Sequence, residues 1–382
     1  GIYEQYLKDI DKAIAAYEDV LGIDPANATA LDRLEALYGE REDYDSLLDV
    51  YERAYNAANN DDDRLRMAKN AAILHGDFRQ DLRSAADAWN RVLRLKADEP
   101  EAFDSLVKIY SSQEEWDDLI KLYELKYETA DGPNERADAI ISMASIYQNQ
   151  LDDVDNAISM YERVLLERRG DRAALDALDT LLSRQGQWEQ VIENIEKKLE
   201  FETVSDERVS LLCRQGQIAA AELDDNYRAA ASYTRVLKED PGNATAVEEL
   251  LRIYQQDERW DKVVETLNHK LQHADNRIDQ AAVHVDLAEV MSDKLGQEDA
   301  ALSHFEEAER ADPESRRALQ VLADHYMKTG AYEKAMTRLE ALVDKLDPDH
   351  DKELVAQTHK KTGLCAEALY LDDQAIDELN LS

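Results

Sequence analysis

The phrase WDDLIKLYELKY at residues 116–127 returns 72 residues later as WEQVIENIEKKL, and after another 72 as WDKVVETLNHKL. A repeat of fixed length constrains the fold more than any other feature of the chain and has to be read before single elements are assigned. Two columns of aromatic residues step by the same interval: Tyr44, Trp116, Trp188, Trp260 and Tyr332 in one, and Tyr17, Trp89, Tyr161, Tyr233 and Phe305 in the other. All four tryptophans fall on these columns, so the largest side chains are confined to recurring structural positions.

Within one period the apolar residues recur at helical spacing. Trp116, Leu119, Ile120, Tyr123 and Tyr127 form one stripe, with Asp117, Asp118, Lys121, Glu124 and Glu128 on the opposite side. Upstream, EAFDSLVKIYSSQ carries the matching stripe of Phe103, Leu106, Val107 and Tyr110. The pair predicts an antiparallel helix hairpin across a short link, and two such hairpins fill each period. A lone hairpin cannot remove both apolar faces from water, so stability has to come from stacking each hairpin on its neighbours. Only 12 glycines and 6 prolines in 382 residues leave little material for β-turns. The expected class is all-α, and truncating a landmark aromatic to alanine is expected to cost about 3–5 kcal/mol.

Hairpins of this length with A-x-x-x-[YF] in the second helix and D-P-x-N at the junction resemble the tetratricopeptide repeat family over the whole chain. Ala13, Ala85, Ala157, Ala229 and Ala301 stand at the family's small position, and Tyr17, Trp89, Tyr161, Tyr233 and Phe305 at its large aromatic one. Pro25, Pro241 and Pro313 match the junction proline, which cannot continue a helix. Ala72, Ala144, Gly216, Ala288 and Gly363 match the small residue of the first helix, and Gly186 and Gly330 the glycine of the tight turn. Alternate hairpins depart from the pattern, with Leu47, Leu119, Val191 and Val263 at a small position and Lys126, Lys198 and Lys270 where another alanine is usual. The resemblance implies a right-handed α-solenoid of stacked antiparallel hairpins, a TPR-like superhelix, divergent from the consensus.

The repeat pattern partitions residues 1–382 into one continuous array of about eleven hairpins. Their approximate bounds are 1–26 (partial), 28–60, 64–98, 99–131, 134–170, 171–204, 206–240, 243–276, 278–312, 315–347 and 351–382 (partial). By alignment Ile2 corresponds to Ile146 and Ile218, so Gly1 falls midway through a first helix, and Ser382 precedes the expected end of a second. The expectation is a segment of a longer array without its capping repeats.

A net charge of −39 sets up a field that opposes sequence-independent binding to phosphate backbones, so nucleic acid is not an expected partner. A basic protein segment, a salt-adapted surface and a merely self-repelling soluble surface all remain open readings of the acidity. No apolar run is long enough to span a bilayer. Cys213 and Cys365 lie in apolar helical stretches without metal-ligand spacing and read as small core residues.

No catalytic, cofactor or metal motif is expected. His269 and His273 are four apart, but no third ligand accompanies them. DPDHDKE at 347–353 alternates Asp347, Asp349 and Asp351 like a calcium loop, yet Lys352 replaces the required glycine and Thr358 the closing glutamate. It reads instead as an acidic loop with Asp351 capping the next helix. Sequons occur at Asn27, Asn243 and Asn380, the first two at the D-P-x-N junction where asparagine suits helix entry. The carboxylate clamp of some TPR proteins, which the resemblance would imply around Lys69, is broken by Ile73 where asparagine is needed. The surface that the resemblance marks as functional is the concave one, lined by first helices. There the column Asp32, Asp104, Asp176 and Glu248, closed by Gln320, would hold one carboxylate in every second hairpin. The function expected is a non-enzymatic protein-interaction scaffold binding a protein or peptide, with a basic segment favoured by the column. Two alternatives stand beside it: solvated polar positions without a role, and end-to-end self-association into a filament or sheath.

Overall fold

The computed structural model describes residues 9–25, 27–347 and 350–382. The expectations for Gly1, Ile2 and Asp349 fall outside them. Among the described residues there are twenty-one α-helices and no strand. The chain divides into two compact units between Gln187 and Trp188. In each unit, helices consecutive in sequence pack on one another, and this is the all-α hairpin stack of a solenoid.

The 72-residue interval has a physical cause that the aromatic columns alone do not disclose. First helices alternate between two lengths. Those starting at Ala28, Pro100, Arg172, Ala244 and Arg316 run for thirteen or fourteen residues. Those starting at Pro133, Ser205, Arg277 and Lys352 run for seventeen. The helix Asp61–Ile73 reaches comparable length through a π turn over Leu74–Phe78. Two unlike hairpins therefore make the repeating unit.

Helix starts follow the same register. Asp9, Asp81, Asp153 and Asp225 accept from the backbone N–H three residues on, at 2.9–3.2 Å. Asn27, Asp171 and Asn243 do the same for short first helices. Helix ends repeat too. The turn after each short first helix is closed by Asp43 N→Tyr38 O, Glu115 N→Tyr110 O, Gln187 N→Leu182 O, Arg259 N→Tyr254 O and Ala331 N→Tyr326 O, at 2.8–3.0 Å. Closing such a turn needs one left-handed residue. Gly186, Gly296 and Gly330 supply it in three turns, but Glu42, Gln80, Glu114, Asp152, Asp224, Glu258 and Tyr370 do so elsewhere, with φ of 48–58°.

The two aromatic columns play different parts. Trp89, Tyr161, Tyr233 and Phe305 are buried, 3–8% exposed, and Ala85, Ala157, Ala229 and Ala301 beside them in their helices are fully enclosed. A Cβ on Gly216 would lie 2.9 Å from the Tyr233 ring, which explains the small residue at that position. Tyr44, Trp116, Trp188, Trp260 and Tyr332 instead start their helices and stay half-buried. Their rings serve as platforms: Tyr44 meets Phe78 at 5.2 Å, and Lys294 Nζ lies 5.0 Å from the Trp260 ring centre. In the divergent hairpins Leu47, Leu119, Val191 and Val263 are buried. Lys126 lays its ammonium 5.5 Å from the Phe103 ring, which explains how a lysine is accommodated there.

A third column joins hairpins. The tyrosines near the ends of short first helices reach back twenty residues to the preceding second helix. Tyr38 donates to Glu18 at 3.1 Å and Tyr326 to Glu306 at 2.9 Å, while Tyr110 accepts from Asn90 at 2.7 Å. Burial raises all three phenol pKa values, those of Tyr38 and Tyr326 to about 12.

Candidate functional site

Three of the short first helices are fixed at their entry by the caps described above, Ser315 caps the helix Arg316–Lys328 through Ala318 N at 3.4 Å, and Pro100–Gln113 starts on its proline without a side-chain cap. The fifth residue of each helix is Asp32, Asp104, Asp176, Glu248 and Gln320 in turn. The first four are exposed and Gln320 is half-buried. In the first unit Arg66 Nη1 stands 3.7 Å from Asp32, and Arg172 Nε 4.0 Å from Asp176 on its own helix. These pairs are solvated, and such pairs hold with roughly 0–1 kcal/mol. In the second unit Glu248 borders a cleft of about 190 Å³ together with Lys270, His273, Asp275 and Asp279. The column is thus a register of exposed carboxylates, three in one unit and one in the other.

Lys69 is taken up structurally. Its ammonium lies 2.7 Å from Glu99 and 3.2 Å from Glu101, and Lys96 completes the grip on Glu99 at 3.1 Å. Lys69 and Lys96 hold the Glu99 carboxyl below the usual carboxylate range.

The remaining sequence candidates resolve as follows. His269 and His273 approach with ring centres 4.7 Å apart, but His269 Nε2 is 2.8 Å from the Pro241 carbonyl, so that nitrogen carries a proton and donates. Asp351 stands at the start of its helix without bonding it. Its carboxylate accepts instead from Asp347 N at 3.0 Å and from Arg316 at 2.9 Å, which corrects its expected role as a cap. Cys365 is buried, whereas Cys213 is half-buried and borders a cleft of about 470 Å³ with Gln217, Tyr233, Glu249 and Arg252. Burial raises both thiol pKa values, so neither is an activated nucleophile. Among the described residues no three His, Cys, Asp or Glu side chains converge as a metal site, and no helix is long and apolar enough to cross a membrane.

One cluster had no signal in the sequence. His284 and His304 lie on the two helices of one hairpin, Arg277–Asp293 and Glu298–Ala311, with their Nδ1 atoms 3.0 Å apart. Burial lowers both imidazole pKa values, helped for His284 by His304 and opposed for both by Glu307.

Family profiles agree with this architecture. Profiles described as tetratricopeptide repeat match residues 2–27, 102–137, 139–173 and 294–356. The chain is a divergent tetratricopeptide-repeat protein. Lipopolysaccharide assembly protein B of Escherichia coli (strain K12) is 25% identical over 226 residues, which are 56% of this chain and 54% of that protein. The same protein from Escherichia coli O157:H7 gives the same figures, so this TPR chain spans about half the length of the curated relatives it matches. Among solved structures, a crystal structure of MamA protein is 19% identical with a TM-score of 0.35, covering 46% of this chain and 90% of that one. The structure of Naa15/Naa10 bound to HypK-THB is 14% identical with a TM-score of 0.33, covering 100% of this chain and 61% of that one.

Proposed function

We propose that this TPR chain is a non-enzymatic scaffold whose short first helices present carboxylates to a basic protein segment, extended or helical. Reading residues 1–382 as one continuous array belongs to the same proposal. TPR repeats are, as a family, protein-interaction modules without catalysis. The observation that supports the finer reading is the exposure of Asp32, Asp104, Asp176 and Glu248 at one helix position in four short first helices, on a chain of net charge −39. The cations near Asp32 and Asp176 are solvent-exposed, so an incoming lysine or arginine exchanges with them at little cost. Attraction of this kind steers encounter and weakens as salt rises. The test replaces Asp32, Asp104 and Asp176 with asparagine and Glu248 with glutamine, and measures binding of a lysine- and arginine-rich peptide at several salt concentrations. Weaker binding with a shallower salt dependence is expected; an unchanged affinity and slope refutes the reading.

A further inference from the structure

We infer that the cleft bounded by the helices Asn226–Glu239, Ala244–Gln256 and Trp260–Gln272 takes a glutamate side chain from a protein partner. The repeat supplies the comparison. Tyr254 belongs to the same column as Tyr38, Tyr110 and Tyr326, whose hydroxyls are engaged by Glu18, Asn90 and Glu306. At the position of those three partners the hairpin before Tyr254 carries Thr234, whose hydroxyl turns back to the Ala230 carbonyl at 2.7 Å. The Tyr254 hydroxyl has no hydrogen-bond partner among the described residues. In the remaining copy Leu182 takes the place of the tyrosine, so among the described residues Tyr254 alone keeps the phenol of this column and lacks its partner.

What the missing side chain leaves is a cleft of about 540 Å³. Three periods earlier its counterpart is closed from within the chain: Glu18 accepts from Tyr38 at 3.1 Å on one oxygen and from Arg53 at 2.7 Å on the other. The residues aligned with that triad, Thr234, Tyr254 and His269, all line the cleft. His269 already gives its Nε2 proton to the Pro241 carbonyl, so it does not replace Arg53. Positive charge comes instead from Lys238 and Lys262, which line the same cleft. Lys238 has no ion-pair partner among the described residues. Lys262 holds the exposed Glu265 at 2.5 Å and keeps further N–H donors on its ammonium for a second carboxylate. Leu237 and Leu250 give the wall an apolar stretch against which a two-carbon stem can lie. A carboxylate on such a stem therefore meets here the phenol that Glu18 meets in its own copy, and two ammonium groups besides. The internal counterpart is a side chain carried on a backbone, the helix Ile10–Ile23, and this commits the occupant to a protein segment. The preference is opposite in charge to that of the acidic column, so the two surfaces are tested separately.

The experiment uses the whole chain and two capped peptides, acetyl-Ala-Ala-Glu-Ala-Ala-amide and its glutamine counterpart. Ligand-observed magnetic resonance gives their affinities, and ring-labelled tyrosine reports the Tyr254 signal, assigned by its loss in Tyr254→Phe. Saturable binding of the glutamate peptide alone is expected, with a shift of the Tyr254 resonance. Tyr254→Phe and Lys238→Met should each weaken it about tenfold, the scale of a hydrogen bond or ion pair to a charged group. Thr234→Glu restores the residue that Glu18 and Glu306 supply at the aligned position, so it should fold, fill the cleft from within and abolish binding. Tyr38→Phe removes a phenol whose partner is already in place and should change nothing. Equal binding of the two peptides, binding of neither, or binding that survives Thr234→Glu overturns the proposal. Saturation by free butyrate without any by the peptide overturns it too, because the ligand is then a small acid and not a partner segment. The comparison of the two peptides on the wild-type chain decides the matter even if a variant misfolds.

Discussion

Replacing Glu114 with glycine should stabilise the first unit, and the size of the effect follows from its backbone. Glu114 holds φ at 56° in the turn between Pro100–Gln113 and Trp116–Thr129, where Glu115 N closes on Tyr110 O at 2.9 Å. A side-chain-bearing residue in the left-handed region costs roughly 1–2 kcal/mol. Glycine avoids that cost but gives back about 0.4–1 kcal/mol through its freer unfolded chain. The net gain is about 0.5–1 kcal/mol per turn. Glu42 occupies the same place one period before in the same unit, and the two substitutions should add to about 1–2 kcal/mol, while Glu258, two periods after, is the equivalent site of the second unit. Removing a carboxylate from a chain of net charge −39 also relieves repulsion, so Glu114→Gln is the control that changes charge and leaves the backbone strained. The reverse exchange is Gly330→Glu: φ there is 75° and nothing lies within 4 Å of an added Cβ, so the loss is one of backbone conformation. Urea unfolding followed at 222 nm, with slopes compared across variants, measures all of these. Equal stabilisation by Glu114→Gln and Glu114→Gly, or no loss in Gly330→Glu, would refute the argument.

Two further outcomes can be measured by the same unfolding assay. Tyr233→Ala should cost about 3–5 kcal/mol, and Gly216→Ala about 1–2 kcal/mol, because overpacking against the Tyr233 ring outweighs the better helix propensity of alanine. Alkaline titration should show a loss of stability beginning near pH 10. Tyr38, Tyr233 and Tyr326 have folded pKa values of about 12 against an ordinary 10.0, so their contribution is fully present below pH 10 and disappears as pH rises through 12. Tyr38→Phe and Tyr326→Phe should flatten that fall, as followed by tyrosinate absorbance alongside circular dichroism.

Periodicity made the helices legible because each apolar stripe is local to its own segment. Trp89 and Tyr233 could be assigned to the core from spacing alone. The half-burial of Trp116 and Trp260 could not, since it follows from their place at the first residue of a helix, where a large ring lies partly across the turn. The turns were legible at Gly186 and Gly330 and hidden at Glu114 and Asp224, where ordinary residues accept the left-handed conformation without any compositional mark. Asp32, Asp104, Asp176 and Glu248 were recognised as an exposed register, but Arg66 beside Asp32 belongs to the neighbouring hairpin and had no sequence signal. His284 and His304 are twenty residues apart, a spacing that carries no meaning until the two helices fold back on each other. The tyrosine bonds to Glu18, Asn90 and Glu306 span twenty residues each and carry no sequence mark for the same reason.

Because seventeen-residue and thirteen-residue first helices alternate, like surfaces meet only when whole pairs are gained or lost. Excising 72 residues joins a junction to its own counterpart, while excising one hairpin presses a long helix against a neighbour shaped for a short one. Growth or shrinkage of such a chain, in evolution or in the laboratory, should therefore count in twos.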